Sequence, residues 1–68
     1  MKLSARNVIP GKIVAVQKGV TTANIKIEIA PGRLITASIT NEAVEDLGLE
    51  VGDTVSAVIK SSDVMVGK

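Results

Sequence analysis

Three short stretches hold the polar side chains of this 68-residue chain that could do chemistry on a ligand. Ser4-Ala5-Arg6-Asn7 lies near the start, Ser38 and Thr40 stand two apart in the middle, and Lys60-Ser61-Ser62 lies near the end. None of them is an acid–base pair. The polar side chains all offer hydrogen-bond donors, and Arg6 and Lys60 carry positive charge. Such a set suits a small tetrahedral anion, with cations supplying charge and hydroxyls and backbone N–H groups supplying fixed donors. Each stretch taken singly has a plainer reading: a lysine in a turn is ordinarily solvated, and Ser-Ser between strands is ordinarily just a turn.

The composition excludes more than it admits. The chain contains no Cys, His, Phe, Tyr or Trp. Without Cys there is no disulfide framework, zinc knuckle or iron–sulfur ligation. Without His or Cys the commonest general base and the best nucleophile are both missing, and no Asp or Glu pairs with a recognisable catalytic partner. Without aromatics there is no platform for stacking bases. A formal net charge of +1 leaves no electrostatic footprint for DNA or anionic lipid. A binding or structural module remains.

The elements that must position these residues read as strands. Apolar residues alternate from Asn24 to Ala30, with Ile25, Ile27 and Ile29 on one face. They alternate again from Leu34 to Thr40, with Ile35, Ala37 and Ile39 opposite Thr36, Ser38 and Thr40. Pro31-Gly32 between them predicts a hairpin. Lys12–Lys18 and Val55–Lys60 are also strands, but Ile13-Val14-Ala15-Val16 and Ala57-Val58-Ile59 are apolar on both faces. A strand apolar on both sides is buried on both sides, so these two are expected to contact another subunit. One short helix fits residues 42–47, with Thr40 or Asn41 as its cap and Gly48 at its end. Gly52-Asp53 turns into the strand from Thr54, and a last short strand is expected over Asp63–Val66. Five strands with a helix between the third and fourth is the order of an all-β, OB-like barrel, formed by residues 1–68 as a single domain.

So short a chain buries only about 60% of the surface its unfolded form exposes. Val and Ile nonetheless supply eighteen residues, and 46% of the chain is hydrophobic. Oligomerisation gives that surplus a place, because a neighbouring copy can complete the core. No apolar run approaches the roughly 20 residues needed to span a bilayer, and MKLSARN lacks the apolar stretch of a signal peptide. A cytoplasmic location is expected.

The chain also resembles a known family. Ser4-Ala5-Arg6-Asn7 and Pro10-Gly11-Lys12-Ile13 are similar to the opening of the molbindins, or molybdenum-pterin-binding proteins. The likeness continues through Ala37-Ser38-Ile39-Thr40, Leu47-Gly48-Leu49, Val51-Gly52-Asp53 and Ala57-Val58-Ile59-Lys60-Ser61-Ser62-Asp63-Val64. It covers essentially the whole chain. Val8 departs from it, standing where the family often has Gln. The resemblance implies an OB-like subunit in a homohexamer, a trimer of dimers, holding molybdate or tungstate as an intact oxyanion between subunits. It implies Ser4, the Ala5 backbone and Arg6 from one subunit, with Thr40, Lys60 and Ser61 completing the pocket from a neighbour. Neither a catalytic cofactor nor a directly ligated metal cation is implied, since molybdenum would be held through its oxo groups.

Three readings follow. The first is a non-enzymatic oxyanion-binding protein for intracellular molybdenum storage and homeostasis. The second is an OB-type nucleic-acid module, which the missing aromatics disfavour. The third is a purely structural assembly subunit, in which the SARN and KSS segments are only turns.

Overall fold

The computed structural model describes residues 2–68. Four strands, β1 (Asn7–Lys18), β2 (Thr22–Ala30), β3 (Arg33–Thr40) and β4 (Thr54–Ile59), form one sheet in the order β3-β2-β1-β4, every neighbour antiparallel. Helix α1 (Asn41–Leu47) lies between β3 and β4. The OB-like, all-β expectation with its single short helix is borne out; the described residues form four strands rather than five.

β1 organises the sheet because it serves two partners in turn. Its first half, Asn7–Lys12, pairs with β4, and its second half, Lys12–Lys18, pairs with β2. Lys12 belongs to both ladders. Between Ile13 and Ala15 the register slips, so Val14 is an extra residue and the strand bends there. The bend curls the sheet around the inward-facing Ile13, whose N–H and C=O pair with Asp53 O and Gly52 N at 2.9 and 2.8 Å. β1 begins at Asn7, five residues before the expected stretch Lys12–Lys18. Pro10 would be excluded from a central strand, but this half of β1 has a ladder on one side only, so a missing N–H is tolerated.

The core is Ile13, Ala23, Ile25, Ile27, Val44 and Ala57, all buried. Val44 closes one end from α1. That helix is fixed at both ends as its sequence requires. Thr40 Oγ1 accepts from Ala43 N at 3.0 Å, and Gly48 takes the left-handed conformation, φ 61°, while its N–H donates to Glu45 O.

The strand expected over Asp63–Val66 is absent. Ser61–Asp63 forms a single 3-10 turn, and the residues after it have no regular structure, with Met65 and Val66 92% and 95% exposed. Val64-Met65-Val66 is apolar, but the segment pairs with neither free edge of the sheet. Here the facing edges, β3 and β4, stand apart across an apolar groove of about 950 Å³ lined by Ile35, Ala37, Ile39, Val55, Ala57 and Ile59. The curled sheet is therefore open along one side within a single chain.

Val14 and Val58 face outward, as the two-sided pattern expects, and Val8, outside that pattern, faces outward too. Val8 and Val58 are Cα partners across the β1–β4 ladder, 44% and 43% exposed, and Val14 is exposed on the bulge.

Candidate functional site

The β1–β4 ladder ends at the rung Asn7↔Ile59. The next residue on one strand is Arg6 and on the other Lys60; beyond them stand Ala5 and Ser61. Antiparallel pairing thus gathers five of the six expected residues, Ser4, Ala5, Arg6, Lys60 and Ser61, at one end of one ladder. Asn7 Nδ2 donates to Ile59 O at 3.2 Å across this end. After Lys60 the chain turns at once, with Asp63 N donating to Lys60 O at 2.9 Å, and the Lys60 side chain makes no capping bond.

Arg6 and Lys60 are both exposed, and neither has a carboxylate partner among the described residues, where the only ion pair is Lys18 with Glu45 at 3.5 Å. Like charges on adjacent strand positions repel. A small dianion placed between them reverses the sign of that interaction. Ser4 and Ser61, both exposed, add hydroxyl donors at the same end.

Thr40 is not there. It pairs with Thr22, whose neighbour Ala23 pairs with Lys18, so Thr40 lies by the far end of the 12-residue β1 from Arg6. The resemblance groups Thr40 with Lys60 and Ser61 on a neighbouring subunit; the fold instead sets Lys60 and Ser61 beside Arg6 in the same chain and separates Thr40 from all of them. Its hydroxyl oxygen accepts the capping bond from Ala43 N, which leaves the O–H free to donate.

That far end holds polar features that the sequence reading did not single out. Gln17, Lys18, Gly19, Thr22 and Asn24 line a small niche of about 240 Å³. Asn41 staples the adjacent turn: its N–H donates to Thr21 O at 2.9 Å, and Nδ2 donates to Gly19 O and Val20 O at 3.0 and 3.3 Å. In sequence, Asn41 signalled only an alternative helix cap. Among the described residues, no group of three or more His, Cys, Asp or Glu comes together. What the fold gathers is donors and cations.

Comparison with known proteins places this arrangement. Residues 3–66 match the TOBE domain family. Molybdenum-pterin-binding protein 3 of Clostridium pasteurianum is 50% identical over 66 residues, 97% of either chain. A molybdate-binding protein from Sporomusa ovata has the same fold, with a TM-score of 0.93 and 35% identity over the whole of both chains. The cytoplasmic molybdate-binding protein ModG, solved with molybdate bound, superposes with a TM-score of 0.90 at 40% identity, over 96% of this chain and 46% of its own. The chain belongs to the TOBE domain family and, within it, to the molbindins.

Proposed function

We propose that this protein binds molybdate or tungstate as an intact oxyanion for intracellular molybdenum storage and homeostasis, in the cytoplasm and without catalysing a reaction. One observation carries the reading: Arg6 and Lys60 flank the last rung of the β1–β4 ladder with no carboxylate to neutralise them. Relatives covering nearly the whole chain are named for molybdenum or molybdate binding.

The chemistry of the donor set supports an oxyanion without protons. Molybdate is a dianion at neutral pH, and the cations, hydroxyls and backbone N–H groups can all direct donors at it. Hydrogen phosphate brings a proton that only a hydroxyl oxygen can accept, and turning a hydroxyl to accept it removes one donor from the anion. Sulfate carries the right charge on shorter bonds, so pocket size must reject it.

The pocket is shared between copies of residues 1–68 acting as one domain, in a homohexamer built as a trimer of dimers. Thr40 lies by the opposite end of β1 from Arg6, so a site containing both draws on two chains. The outward valines of β1 and β4 and the open groove give such an assembly apolar surface to cover. A ligand that binds only the assembled form also stabilises it by mass action.

Calorimetric titration with molybdate, tungstate, sulfate and phosphate, and with single-stranded DNA, tests the reading. Saturable heat with molybdate and tungstate alone is expected. No heat with either oxyanion refutes it, and heat with DNA instead favours a nucleic-acid module.

A further inference from the structure

We infer that Asn7 is a positioning residue for the oxyanion pocket, holding Lys60 in place relative to Arg6; the inference rests on the binding reading above. Asn7 occupies an inward-facing place on β1. It alternates with the exposed Val8 and shares its side of the strand with Ile9 and the buried Ile13. The large side chains that follow it on that side, Ile9, Ile13 and Val16, are aliphatic up to Lys18 at the far end, so an amide here departs from its neighbours.

Its hydrogen bond gives the departure a use. Asn7 Nδ2 donates to Ile59 O at 3.2 Å, half-buried, joining residues 52 apart in sequence. That carbonyl belongs to the peptide unit whose other half is the nitrogen and Cα of Lys60. Because the peptide is planar, a bond that fixes the oxygen also orients the start of Lys60. Asn7 is joined directly to Arg6 on its other side. One amide, adjacent in chain to the first cation and one residue from the second, ties the two together.

Among the described residues, nothing beyond it does so. The ladder ends at this rung, the next backbone bonds run within the turn Lys60–Val64, and Lys60 caps nothing with its side chain. Two unpartnered cations at the ends of adjacent strands push apart. With the tie removed, the ends separate in the free protein, and the anion must restore the geometry as it binds. Part of its binding free energy then goes into ordering the site.

The test is calorimetric titration of molybdate, carried to millimolar ligand, into wild type, Asn7→Leu, Asn7→Ala, Lys60→Ala and Asn7→Leu/Lys60→Ala, with thermal unfolding of each. Leu suits an inward-facing place and cannot donate. Asn7→Leu should unfold at or above the wild-type temperature while its molybdate affinity falls about five- to tenfold, the size of one lost hydrogen bond. A residue with a merely structural role would lower both or neither. Asn7→Ala should show the same loss of affinity and serves if the leucine variant does not fold. In the Lys60→Ala background the Asn7→Leu effect should shrink below about twofold, because no ammonium remains to be positioned. Wild-type affinity in both Asn7 variants, or an undiminished loss in the Lys60→Ala background, overturns the inference. If Lys60→Ala weakens binding and the Asn7 variants do not, the inference fails and the binding reading stands. If wild type gives no heat with molybdate, both fail.

Discussion

Gly11 of β1 approaches Ile27 of β2 so closely that a Cβ on the glycine would lie 2.6 Å from the isoleucine Cγ2 and 2.8 Å from the Glu28 carbonyl oxygen. The contact sits one residue before Lys12, where β1 passes from one ladder to the other. The isoleucine methyl can rotate away, but the Glu28 carbonyl is backbone and cannot. Gly11→Ala therefore has to push the two strands apart at the bend. We expect a loss of about 1–3 kcal/mol, the usual cost of overpacking. Urea unfolding should show it as a lower midpoint at unchanged slope.

The exposed pair Val8 and Val58 tests the assembly. Because both side chains face outward, Val58→Glu should leave the chain folded and β-like by circular dichroism. The same charge buried against another copy is costly unless paired. Native mass spectrometry should find wild type as a hexamer and Val58→Glu in smaller species. A wild-type monomer would sink the reading of these strands as subunit contacts.

Asn41 makes a different kind of prediction, about the far end of the barrel. Its amide satisfies two carbonyls of the turn after β1, Gly19 O and Val20 O. Asn41→Ala removes both side-chain bonds while keeping the backbone bond from Asn41 N to Thr21 O. A net hydrogen bond contributes about 0.5–1.5 kcal/mol, so a loss of roughly 1–2 kcal/mol is expected. Hydrogen exchange should speed up at residues 19–22 more than in the β1–β4 ladder; equal acceleration at both would show that Asn41 acts elsewhere.

Arg6 supplies charge and a planar fork of donors, and the two can be separated. Arg6→Ala should weaken molybdate binding by tenfold or more, since a hydrogen bond to a charged group is worth about 1.5–3 kcal/mol. Arg6→Lys keeps the charge but loses the paired donors, and should fall between wild type and alanine. If Arg6→Ala titrates like wild type, Arg6 is not in the pocket, whatever the ligand.

What the sequence made legible was chiefly what is local. The Pro31-Gly32 hairpin, the Thr40 cap and the Gly48 terminus each depend on residues within a few positions, and each formed as expected. Alternation placed Ile25 and Ile27 in the core for the same reason. The start of β1 before Lys12, across Pro10-Gly11, was not read from the apolar pattern. It is a strand all the same, because Pro10 stands where only one ladder is needed and Gly11 where another strand comes too close for a side chain. The strand expected at Asp63–Val66 failed in the opposite way: the apolar residues Val64-Met65-Val66 were there, but the segment joins neither edge of the sheet. Arg6 and Lys60 were marked as cations by type, but only pairing across 52 positions, Asn7 to Ile59, sets them at one end of one ladder. No spacing rule could supply that. Sequence separation concealed the hydrogen bonds of Asn7, 52 residues from its partner, and of Asn41, 21 and 22 residues from its own.

Thr40 offers the sharpest separation of fold from function, because one oxygen serves both. It accepts the bond that caps α1, and the proposed pocket uses the remaining O–H. Thr40→Ala loses both, and should cost about 1 kcal/mol of stability together with ligand affinity. Thr40→Asp keeps a good cap, and its carboxylate also suits the N-terminus of the helix, so stability should stay near wild type or rise slightly. In the pocket, however, the same carboxylate faces a dianion and has no proton to give. We therefore expect Thr40→Asp to unfold at or above the wild-type temperature while molybdate binding falls below that of Thr40→Ala. Thr40→Ser, which retains hydroxyl and cap, should keep both. If Thr40→Asp binds molybdate as wild type does, Thr40 is a helix cap alone and the pocket is built without it.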